Sequence, residues 1–135
     1  MSDTYKFFLL LHIASVVVAF APVVVGAVAV APAGGRRRAS VPELSPVGRL
    51  VYSAGLILAG LFGILLILAS DDAWEFSDTW ITLAFLVWIA MNGVFHAMVF
   101  PARRAARSER AQLGIAILDV LLIVMLWLMI WKPGA

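Results

Sequence analysis

Asn92 and His96 stand one helical turn apart in the apolar stretch Trp80–Phe100, with Trp88 one turn before them, so the three share one face of a helix. A carboxamide and an imidazole are groups that lipid disfavours. The next apolar stretch, Leu113–Trp131, carries a single acid, Asp119. A histidine beside a carboxylate can handle protons or anchor a ligand, because the acid would fix the ring tautomer and favour its charged form. Ser53, in another apolar stretch, could join Asn92, His96 and Asp119 in one polar cluster. The same four residues also make a polar clamp between helices, and the clamp is the preferred reading.

The elements that must position these residues follow from composition. Of 135 residues, 64% are hydrophobic and 13% charged, against about 45–50% and about 25% in a soluble domain. That places the chain in the membrane class as a single domain. Four apolar runs, at about 5–31, 47–69, 78–100 and 113–131, are each near the ~20 residues that a bilayer requires. The first outruns the apolar core of a signal peptide, and Arg36, Arg37 and Arg38 follow rather than precede it, so it is expected to be a retained span. Pro22 lies inside it and is expected to kink it. No internal repeat links the halves, which argues against an inverted-repeat transporter. The absence of cysteine excludes disulfides and thiolate sites.

Charge sets the expected orientation. The stretches between spans one and two and between three and four hold Arg36, Arg37, Arg38, Arg49, Arg103, Arg104, Arg107 and Arg110, whereas the opposite side has only Lys6 and Lys132. The net charge of +2 is therefore a topology signal rather than a nucleic-acid footprint. The predicted fold class is an all-α membrane protein, four transmembrane helices in an antiparallel bundle with both termini outside. Tyr5, Trp74, Phe76, Trp80 and Trp131 form the matching outer aromatic belt. In this arrangement Ser53, His96 and Asp119 all lie roughly 6–9 Å inside the cytoplasmic boundary.

His12 is the second intramembrane histidine, and two such residues raise the question of haem. His12 belongs to the outer leaflet and His96 to the inner, a difference of roughly 14 Å along the membrane normal. One protomer cannot use both on one iron. A haem held by one histidine, or shared between subunits, is the alternative to the expectation of no cofactor. Span two carries Gly55, Ala59 and Gly63 at four-residue spacing, with Gly60 adjacent, a pattern that lets helices approach closely. The segment Asp71–Asp78 (DDAWEFSD) lacks the positional pattern of a calcium loop, and no metal is expected there. It reads as an outer turn capping span three through Ser77 or Asp78.

Several of these features are shared with known membrane proteins. The Leu11–His12 pair in span one, the glycine-rich second span, the Phe76, Ser77 and Trp80 entry to span three, and Pro101 followed by Arg103 and Arg104 resemble a bacterial family of predicted four-helix integral membrane proteins of unknown function. The likeness covers most of the chain. More distantly the chain resembles the copper-resistance D and HemJ-type membrane proteins, some of which bind haem. The resemblance implies a multi-pass protein of the bacterial cytoplasmic membrane. With no nucleophile–base–orienter set in the sequence, the expectation is a non-enzymatic accessory subunit of a larger membrane complex, a transporter or respiratory assembly. Its partners would be the bilayer and other membrane subunits, or further copies of itself. The alternative is a haem-binding or proton-coupled redox protein using the intramembrane His and Asp residues.

Overall fold

The computed structural model describes residues 2–30, 45–101 and 108–134; Arg36, Arg37, Arg38, Arg103, Arg104 and Arg107 lie outside them. The described residues form helices α1 (Asp3–Val30), α2 (Pro46–Leu68), α3 (Thr79–Val94) and α4 (Ser108–Trp131), with a π-helical turn, Phe95–Val99, continuing α3. All four are long and apolar enough to cross a membrane, over Asp3–Val23, Pro46–Leu68, Thr79–Val99 and Glu109–Trp131. α1 continues through Pro22 as one element.

Local chemistry sets the ends. Ser45 caps α2, its Oγ accepting the Gly48 N–H at 3.0 Å, and Pro46 occupies the first turn, where no backbone donor is needed. Past its far end, Ser70 donates to the Ile67 carbonyl at 2.7 Å and accepts the Trp74 N–H at 3.2 Å. Asp71 and Asp72 follow with φ of 51° and 60°, left-handed values that turn the chain toward α3. Asp78 stands at the α3 N-cap, but its side chain does not cap the helix. Its Oδ2 accepts the preceding Glu75 N–H at 3.0 Å, and Ser77 Oγ donates to Glu75 Oε2 at 3.1 Å. The expected side-chain cap is replaced by bonds that close the turn upon itself.

α1 packs along α2 and α3 along α4, while α2 also meets α3 and the π turn. Among the described residues no Cα of α1 comes within 8 Å of α3 or α4, and none of α2 comes within 8 Å of α4. The two helix pairs meet at one end, the closed end, in a core of Tyr52, Leu56, Met91, Phe95, Val99, Ile115 and Leu118. Its centre is the Tyr52 ring stacked on Phe95 at 4.6 Å, with Phe20 edge-on to Tyr52 at 5.1 Å.

Candidate functional site

His96 projects from the π turn at the closed end, next to the fully buried Phe95. Its Nδ1 lies 2.9 Å from the Asn92 carbonyl and its Nε2 lies 3.0 Å from Ser53 Oγ on α2. A carbonyl oxygen only accepts, so Nδ1 carries the proton in the neutral ring and Nε2 takes the Ser53 hydroxyl. The Asn92 amide turns the other way, Nδ2 donating to the Trp88 carbonyl at 2.9 Å. Ser53, Asn92 and His96 are therefore brought together, but as a closed set with both ring nitrogens engaged.

Asp119 is not part of that set, and the expected His96–Asp119 contact is not made. The rotation of α4 accounts for this. The helix runs from Ser108 and places Asp119 ten positions from Glu109 and twelve from Trp131, near the middle of the helix. The buried face of α4 is defined by Ile115 and Leu118, the latter 1% exposed. Asp119 follows Leu118 by about 100° of helical rotation and Ile115 by one turn, which sets it at the exposed edge of that face and not on its buried centre. Its side chain is exposed and has no hydrogen-bond or ion-pair partner among the described residues. The carbonyl of Asn92 holds the His96 tautomer in place of the acid.

The second histidine is held differently. His12 Nδ1 lies 2.8 Å from the carbonyl of Ala59 on α2, and Trp88 Nε1 donates to the Leu56 carbonyl, also at 2.8 Å. Both acceptors already serve the α2 helical ladder, and a carbonyl has a second lone pair. That lone pair is normally screened by the side chain one turn later. Here those positions are Gly63, four after Ala59, and Gly60, four after Leu56. A Cβ on Gly63 would already touch the His12 ring at 3.5 Å, and one on Gly60 would overlap the Trp88 indole. Gly55 makes a tighter approach: a Cβ there would meet the Ala19 backbone nitrogen at 2.7 Å. Gly55, Ala59 and Gly63 thus face α1, while Gly60 opens α2 to α3. The packing role of Gly60 was masked in the sequence by its place beside the regular small-residue stripe.

With Nδ1 donating to a carbonyl, the neutral His12 ring leaves Nε2 as a bare lone pair. It has no hydrogen-bond partner among the described residues. The ring lines a cavity of about 510 Å³ between the helix pairs. Tyr5, Trp74, Trp80 and Lys132 line it together with Leu56 and Met91 of the core. Lys132 Nζ sits 3.7 Å above the Trp74 ring centroid, and Trp74 meets Trp80 edge-on at 5.4 Å. The contacts of His12 and His96 on α2, Ala59 and Ser53, are six positions or about 9 Å apart. The two histidines address separate sites. His96 links the π turn to Ser53 on α2; His12 Nε2 can accept a hydrogen bond or bind a metal. Among the described residues no group of three or more His, Cys, Asp or Glu is placed to hold a metal ion.

Comparison with protein-family models, with curated proteins and with solved structures gave no match to this chain.

Proposed function

We propose that the chain is a non-enzymatic accessory subunit of a larger complex in the bacterial cytoplasmic membrane, such as a transporter or respiratory assembly. It would cross the bilayer as an antiparallel four-helix bundle with both termini outside. Support for antiparallel packing comes from the facing pairs on α1 and α2: Gly55 lies against Ala19, whereas Gly63, further along α2, lies against His12, nearer the start of α1. The observation that carries the subunit reading is Asp119. Intramembrane acids face a bundle interior or a partner, because a carboxylate at a span's centre costs about 2.5–3.5 kcal/mol even on insertion scales. In this chain Asp119 is exposed, near enough to the buried Tyr52 hydroxyl to act on it electrostatically but not bonded to it, which suits a neighbouring subunit that supplies a basic or hydroxyl side chain at matching depth. Ser53, Asn92, His96 and Trp88 meanwhile bond to the chain's own groups, which suits a packing role rather than turnover.

Extraction in mild detergent followed by native mass measurement tests the proposal. The expected result is a stoichiometric complex with one or more other membrane proteins. Recovery as a free monomer or as a homo-oligomer alone would count against it.

The haem reading narrows to His12, since both His96 nitrogens are engaged. His12 has the outer-shell arrangement of a metal-ligating imidazole, its other nitrogen donating to a carbonyl. A haem there would supply one-electron redox chemistry. Its signature is a Soret band that disappears in His12→Asn, and a colourless preparation would remove this alternative.

A further inference from the structure

We infer that the cavity between the helix pairs binds a lipophilic molecule with a hydroxyl head, the hydroxyl donating to His12 Nε2 and the apolar body extending toward Leu56 and Met91. This does not rest on the accessory-subunit reading; it concerns a different face of the molecule. At about 510 Å³ the cavity lies within the range of about 300–1,000 Å³ common to small-molecule sites. Its class of ligand follows from which hydrogen-bonding capacity is left over. Trp88 also lines the cavity, but its N–H is already given to Leu56. Trp80 Nε1 is a donor without a partner but is itself fully buried, so a ligand in the cavity does not reach it. His12 Nδ1 is held by Ala59, so what the ring offers is an acceptor.

Other occupants match that acceptor poorly. A hydrocarbon would fill the volume but leave Nε2 desolvated and unpaired. A carboxylate or phosphate ester without a hydroxyl would set lone pairs against a lone pair. A water molecule needs two to four polar partners, and the cavity lining is overwhelmingly aliphatic and aromatic. A hydroxyl on an apolar body meets both requirements. Phe85 and Trp88 supply aromatic walls, which favour a phenol over an aliphatic alcohol. Lys132 resting on Trp74 keeps the cation out of the apolar interior.

The probes are 4-nonylphenol and its methyl ether, titrated into the full-length protein in mild detergent. Binding is read from tryptophan emission excited at the red edge, since Trp74, Trp80 and Trp88 line the cavity. The phenol should bind roughly fivefold more tightly than the ether, the worth of one hydrogen bond. His12→Asn keeps an amide that can donate to Ala59 but has no atom at the Nε2 position. It should bind both probes with the affinity that the wild type shows for the ether. Ala84→Phe, which fills the cavity from α3, should bind neither. Equal affinities for the two probes in the wild type would overturn the inference. So would a phenol preference that persists in His12→Asn, unimpaired binding by Ala84→Phe, or a purified protein carrying haem on His12.

Discussion

Replacing Gly60 by alanine should destabilise the protein by about 2–4 kcal/mol, against a gain of about 1 kcal/mol expected from helix propensity alone. The added Cβ would overlap the Trp88 indole, which is fixed by its 2.8 Å bond to the Leu56 carbonyl. The ring must then move, so overpacking is joined by an indole N–H left without its acceptor. The sign depends on Trp88. In a Trp88→Ala background the obstacle is gone, and Gly60→Ala should become neutral or stabilising by up to about 1 kcal/mol. Gly93 is the internal control, because a Cβ there meets nothing within 4 Å. Gly93→Ala should cost nothing in either background. Gly55→Ala should destabilise without any such rescue, since what a Cβ meets there includes the Ala19 backbone. Thermal unfolding in one detergent, across the Gly60/Trp88 double-mutant cycle, checks all of these values. A Gly60→Ala penalty that survived in Trp88→Ala would mean that the glycine serves something other than the indole.

The reason this part of the molecule could be read from sequence is that helix spacing is rigid along a chain. Gly55, Ala59 and Gly63 recur at one face wherever α2 lies, and Ser53 falls at the level of His96 once the spans are counted. Rotation of one helix about its own axis is not fixed in the same way. The offset that carried Asp119 away from His96 is a single residue's rotation from Leu118, set by whether Ile115 and Leu118 or their neighbours face the core. The cavity was beyond reach for a second reason. It is lined by residues of all four helices, so it depends on how they pack together, which spacing along one helix does not give. The tautomer of His12 needed the structure as well, because every residue offers a backbone carbonyl and the sequence does not single out that of Ala59.

Asp119→Leu should move the isolated chain and the assembled complex in opposite directions. For the chain alone, removing an exposed mid-span carboxyl relieves a burden of about 2.5–3.5 kcal/mol on an insertion scale, and leucine at an outward position creates no overlap with the core. Membrane insertion and detergent stability should therefore hold or improve. For the complex, the partner's basic or hydroxyl group loses its acceptor and is left in an apolar interface. That arrangement weakens association by about 1–3 kcal/mol, or roughly fivefold to 150-fold in affinity. Asp119→Asn separates charge from hydrogen bonding: it should retain most of the association if the partner donates from a hydroxyl, and little if it is a cation. The quantities to compare are the amount of chain in the membrane fraction and the fraction co-eluting with its partner. A variant lost from both would indicate that Asp119 supports the fold of this chain. A leucine variant that co-eluted as fully as the wild type would sink the subunit reading, because an unpaired acid at mid-span would then have been facing lipid all along.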